Sequence, residues 1–166
     1  NFQVWEYKQT QAQMYGLDLD ANLSLTDNVR FVHQFSLVKG YDKTSNEPLI
    51  SMPAANTLNS LVYTNPNFNN ISIAIQSNYV FRQNEFPNTN FEVVLPDSIQ
   101  TVDISTPPSG YHLLNLNITA AIRPDMQVGL YVNNLLNTSY RNYLNRLRYY
   151  ADDVGRNITL QLKYNY

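Results

Sequence analysis

Arg156-Asn157-Ile158-Thr159-Leu160-Gln161-Leu162-Lys163-Tyr164-Asn165-Tyr166 closes the chain and decides how the rest is read. Side chains along a β-strand alternate with a period of two. Arg156, Ile158, Leu160, Leu162, Tyr164 and Tyr166 therefore share one face, and Asn157, Thr159, Gln161, Lys163 and Asn165 share the other. Past the arginine the first face is wholly apolar or aromatic and the second wholly polar. A soluble sheet packed on a core could show this once. A strand of an outer-membrane barrel shows it by necessity, its greasy face in lipid and its polar face lining a wet interior.

The same alternation recurs along the chain. Tyr15, Leu17, Leu19, Ala21, Leu23 and Leu25 oppose Gly16, Asp18, Asp20, Asn22 and Ser24 over about eleven residues, the length a tilted strand needs to cross the hydrocarbon. Glu6 to Gln13 is extended but too polar for lipid and is read as that strand continuing beyond the membrane. A second strand runs from Val29 to about Tyr41, with Val29, Phe31, Phe35, Leu37 and Tyr41 outward. His33 falls in this greasy row, either as a neutral imidazole or because a bulge shifts the register. A third strand, Ala54 to Thr64, is the least regular, with only Leu61 and Tyr63 convincing as outward residues. The fourth places Ile71, Ile73, Ile75, Tyr79 and Phe81 outward, the fifth Leu114, Leu116, Ile118, Ala120 and Ile122, and the sixth Met126, Val128, Leu130 and Val132.

The connections between these seven strands are short, long, short, long, short, long. Antiparallel strands crossing a bilayer put odd connections on one side and even ones on the other, and outer-membrane barrels have brief periplasmic turns and extended external loops. A soluble sandwich has no reason for such strictness. The loop from Asp42 to Pro53 is kept out of central strands by its prolines. Glu92-Val93-Val94-Leu95 and Thr101-Val102-Asp103-Ile104, inside the longest connection, can pair as a protruding hairpin. Tyr166 is expected at the periplasmic rim. Seven is an odd number with two unpaired edges, and Asn1-Phe2-Gln3-Val4-Trp5 opens as if in mid-strand, so further strands are expected before Asn1.

Composition agrees with a barrel wall. The 166 residues carry a net charge of -2, only 14% charged side chains and thirteen tyrosines, so their polarity comes from amides and hydroxyls. Nothing in that charge suits nucleic acid. No apolar run reaches the roughly 18–20 residues of a membrane helix, and a mean hydropathy of -0.37 is no objection, because barrel strands carry a weak hydropathy signal. The absence of cysteine rules out a disulfide framework, a thiolate zinc site and a catalytic thiol within this sequence.

Four stretches resemble the C-terminal part of TonB-dependent outer-membrane receptors: Tyr15-Gly16-Leu17-Asp18-Leu19-Asp20-Ala21, Pro48-Leu49-Ile50-Ser51-Met52-Pro53, Val132-Asn133-Asn134-Leu135-Leu136-Asn137-Thr138-Ser139-Tyr140, and Gly155-Arg156-Asn157-Ile158 with the strand to Tyr166. The last two are the more specific, and the likeness covers nearly all of residues 1–166. Ala54-Ala55-Asn56 departs from it, standing where a basic residue or histidine is common. The resemblance implies an all-β, antiparallel transmembrane barrel of about 22 strands, of which this segment supplies the C-terminal seven. It also implies an N-terminal plug domain not in this sequence, and active import of a scarce nutrient, an iron–siderophore-like chelate above others. Energy would reach the plug through TonB, gripping a short N-terminal segment. A passive porin-like channel and a structural barrel subunit of a larger assembly are the competing readings.

Leu162, Tyr164 and Tyr166 are where the resemblance places the signal read by the barrel assembly machinery; otherwise they are lipid-facing girdle residues. Arg141, Tyr143, Arg146, Arg148, Tyr149 and Tyr150 crowd the last external loop and could grip an anionic aromatic chelate by charge and stacking. They could equally contact lipopolysaccharide phosphates or belong to the aromatic girdle. Asp18 and Asp20 are read as lumen lining, and His112 as an outer-interface residue. No Ser/His/Asp arrangement and no metal-ligand spacing is seen, so neither catalysis nor a resident cofactor or metal is expected. Partners are membrane lipid, a small-molecule substrate and, through the plug, TonB.

Overall fold

The computed structural model describes residues 9–88, 90–103 and 105–166. The expected mid-strand opening at Asn1–Trp5, the first part of the Glu6–Gln13 extension, and Ile104 lie outside them. Ten strands follow in order: β1 (Ala12–Ser24), β2 (Val29–Asp42), β3 (Glu47–Pro48), β4 (Asn56–Asn65), β5 (Ile71–Val80), β6 (Phe91–Leu95), β7 (Ser98–Val102), β8 (Tyr111–Arg123), β9 (Met126–Asn133) and β10 (Asn157–Tyr164). Among the described residues one antiparallel sheet takes eight of them, in the order β1-β2-β4-β5-β8-β9-β10 with the two-residue β3 beside β2, and β6 and β7 pair in a second sheet of two strands. The long strands are the seven that the alternation predicts. No helix is long and apolar enough to cross a membrane, which says nothing of strands.

Register turns the separate strand patterns into one surface. Leu23, Phe31, Leu61, Ile75, Leu116, Val132 and Ile158 are successive cross-strand partners, one per long strand. The neighbouring row runs Val29, Tyr63, Ile73, Ile118, Leu130 and Leu160. On the other face Ser24, Arg30, Val62, Ala74, Asn117, Tyr131 and Thr159 line up. Each strand therefore agrees with its neighbours about which side is greasy, and clefts open on the polar side.

The register also settles His33. Pairing runs unbroken through Ala21–His33 and His33–Asn59, so no bulge moves it, and the imidazole stays on the face of Phe31 and Phe35, in a cross-strand row with Asn59 and Ser77. Its Nδ1 lies 2.7 Å from Asn59 Oδ1. On the same face His112 Nε2 lies 2.8 Å from Ser77 Oγ. Each histidine thus has a polar partner on a face otherwise rich in apolar side chains. The one register shift falls between Ala121 and Arg123, beside the Pro124-Asp125 turn.

The prolines of residues 42–53 keep this loop out of the central strands, Pro48 pairing only in the two-residue β3 off the main strand path, where a missing N–H costs little. Two expectations are corrected. The hairpin's second strand is Ser98–Val102 rather than residues 101–104, since its tight Pro96-Asp97 turn brings Ser98 directly opposite Leu95. The third long strand starts at Asn56, not Ala54, where its ladder with Ser36 begins.

Short connections (residues 25–28, 66–70 and 124–125) stand at one end of the sheet, and long ones (43–55, 81–110 and 134–156) at the other. Asn69 and Asn70, both at positive φ, make one of the tight turns, a conformation asparagine tolerates through its short polar side chain. The Asn165 amide donates to Asp125 carbonyl at 2.9 Å, so the chain ends beside a short turn.

Candidate functional site

The last long loop begins in Asn133-Asn134-Leu135-Leu136-Asn137, and two of these asparagines hold its root. Asn134 is 3% exposed and has φ 52°. Its amide donates to Asn115 Oδ1 at 2.9 Å, its Nδ2 donates to Thr138 carbonyl, and its Oδ1 accepts from Thr138 amide, both at 2.8 Å. Asn137, at φ 55°, accepts from the Arg156 amide at 2.9 Å and so joins the loop's first residues to its last. A Cβ on Gly155 would come within 2.9 Å of that same Asn137 oxygen, which is why glycine precedes Arg156.

Two adjacent carboxylates organise the loop's interior. Asp152 accepts from Ser139 hydroxyl and from Arg141 Nε, the latter at 2.6 Å. Those two donors hold its pKa below the usual carboxylate range. Asp153 accepts from the Asn142 amide at 2.6 Å and from Asn145 Nδ2 at 2.7 Å, while its own amide donates to Tyr140 carbonyl at 2.8 Å. Asn145 then caps the 3-10 turn Arg146–Tyr149 through the Leu147 amide.

Arg148 is folded back between rings. Its guanidinium carbon sits 4.6 Å from the Tyr143 ring centroid and 4.4 Å from that of Tyr149. It also donates to Tyr143 carbonyl and Tyr149 hydroxyl. Tyr143 is only 8% exposed, and burial pushes its phenol pKa up. Arg141, besides holding Asp152, donates to Arg148 carbonyl at 2.9 Å. Of the six residues singled out in this loop, the structure brings Arg141, Tyr143, Arg148 and Tyr149 into one frame. Arg146 and Tyr150 stand exposed at the tip, Tyr150 at 84%.

Beneath the frame a cleft opens on the polar face. Arg141, Asn142 and Tyr143 of the loop line it together with Asn56 and Tyr111 of the sheet and Gln83, beside apolar side chains such as Phe81 and Pro108. Tyr111 packs against Tyr140 with ring centroids 4.5 Å apart and planes tilted by 39°, and burial raises the Tyr140 pKa. The donors facing this space are amides, phenols and one guanidinium, a set that holds a ligand by hydrogen bonds and ring contact. A second cleft, lower on the wall, joins Asp18 and Asp20 to Ser36, Asn56 and Asn78, with Gln34 Nε2 donating to Asp20 at 2.7 Å.

Leu162 and Tyr164 lie on the exposed apolar face opposite Val128 and Met126, and Tyr166 extends beyond the ladder. Sequence reading missed Asp152 and Asp153 as organisers. Their adjacency in a loop holding four arginines is the available signal, though the choice of partners is set only by the fold.

No family model matches the chain, and no curated protein does. Among solved structures it is similar to one titled "Copper transporter OprC", with a TM-score of 0.78 at 19% identity, over 93% of this chain and 23% of that one. At such identity the likeness is one of fold: an antiparallel all-β sheet shared with part of a transporter. The chain spans less than a quarter of the OprC chain's length.

Proposed function

We propose that this chain is a section of the wall of an outer-membrane β-barrel receptor that imports a scarce small molecule with energy supplied through TonB. The observation that carries the reading is the apolar row unbroken from Leu23 on β1 to Ile158 on β10, one residue per long strand, backed by a polar face. Such a surface is stable in acyl chains and costly in water. Among the described residues the outer edges of β1 and β10 have no partner strand. In lipid those backbone groups must be paired, so the wall is completed by further strands, about 22 in all if the family resemblance holds. The long-loop end then faces outward, toward lipopolysaccharide, and the end holding Tyr166 faces the periplasm.

The fold shared with a copper transporter and the resemblance to receptors for iron chelates both make a chelated metal the first cargo to test. The reading assigns the chain transport rather than catalysis. Cells carrying the full receptor should accumulate labelled ferric or cupric chelate only when TonB is present and the inner membrane is energised. Uptake that survives loss of TonB would favour the passive-channel reading instead.

A further inference from the structure

β4 stops at Asn56, opposite Ser36, so the last residues of β2 rise above it and leave a step in the wall. Two loop segments fill that step. The first folds Leu49 and Met52 onto β2 where Gly40 has no side chain; a Cβ there would come within 2.8 Å of Leu49 Cδ1 and 3.0 Å of Met52 Sδ. The second leaves β5: the Phe81 amide donates to Ala55 carbonyl at 2.9 Å, and Gln83 Nε2 donates to Met52 and Pro53 carbonyls at 2.9 and 3.1 Å. Two residues on, Glu85 reaches β2. One carboxylate oxygen accepts from Lys39 ammonium and the other from Tyr41 hydroxyl. Its own amide donates to Gln83 Oε1 at 3.0 Å, closing a ring of contacts across the step.

We propose that Glu85, clasped by Lys39 and Tyr41, is a positioning residue: it locks the root of the longest external loop to β2 and so fixes Gln83 as the side wall of the cleft beneath Arg141 and Tyr143. Removing the carboxylate leaves Lys39 and Tyr41 without their shared acceptor, and the Phe81 and Gln83 contacts that remain across the step are neutral. Charge-assisted hydrogen bonds are stronger than neutral ones, so this clasp dominates the joint. In keeping with that, Lys39 first and Tyr41 second hold the Glu85 pKa below the usual carboxylate range. Both ion-pair partners are about one-third exposed, which tempers the effect through solvent screening.

The role as a ligand wall rests on the transport reading above; the lock itself does not. In the full receptor, amide exchange at Phe81 and Glu85 should quicken about tenfold in Glu85→Gln, with β8, β9 and β10 unchanged. The swap Lys39→Glu/Glu85→Lys should restore slow exchange. Unchanged exchange, quickening spread evenly over β8–β10, or no recovery in the swap would each overturn the lock. Exchange is read without ligand or energy source, so it stands apart from any failure of uptake. For the cleft role, the concentration of ferric or cupric chelate at half-maximal uptake should rise several-fold in Glu85→Gln at an unchanged maximal rate. An unchanged half-saturation would sink that part alone.

Discussion

At the scale of single residues, the last long loop is a frame built around charge. Asp152 and Asp153 tie the end of the loop to residues 139–145, and Arg148 is sandwiched rather than extended. The Asp152 carboxyl has a folded-state pKa below its ordinary 3.8, so its contribution is complete above that value and is lost as pH falls through the depressed one. A spin label at Arg146→Cys should therefore stay immobile down to about that pH and loosen below it, with Asp152→Asn loose at every pH. A label equally mobile in both proteins across the range would remove Asp152 from the frame. None of this was legible from the loop's composition, which shows arginines and tyrosines but not which of them face inward. His33 is a similar case. Sequence shows a misfit in an apolar row, while its remedy, Asn59, is 26 residues away.

At the scale of strands, alternation did most of the reading, and it failed where alternation is weak. β10 and β9 are read correctly because each puts aliphatic residues on one side only. β4 is obscured because Leu58 and Val62 share the face of Asn56 and Ser60, while Thr57 and Asn59 share the face of Leu61 and Tyr63. Register with β2 and β5 assigns its faces where composition cannot. The outward assignment of β10 has a direct test. Leu160 stands at the centre of that strand's apolar face, and Leu160→Arg should cost about 2–4 kcal/mol if it lies at the bilayer midplane. Folding titrations into lipid vesicles would measure it. Equal stability of wild type and variant would put Leu160 on the wrong side of the wall.

For the whole molecule, the alternation of connection lengths carries topology, and under the transport proposal it sets orientation too. Three tight connections share one end with Tyr166, tied there through Asn165 and Asp125, and three long loops share the other. Tyr166 is exposed beyond the last ladder, where under the proposed reading a folding factor could reach it. Tyr166→Asp should lower the yield of folded, heat-modifiable receptor while leaving any folded fraction as stable as wild type; full yield would leave Tyr166 a girdle residue alone. The lock at Glu85 is the one feature of this scale that no periodicity reveals, since its two halves lie 46 residues apart. The free-standing hairpin of β6 and β7 has a practical corollary. Because among the described residues those two strands pair only with each other, a peptide epitope spliced into Pro96-Asp97 would leave the wall's ladders intact. In a receptor oriented as proposed, an antibody added to living cells would reach that epitope, so this turn is the natural place to display foreign sequence on the cell surface.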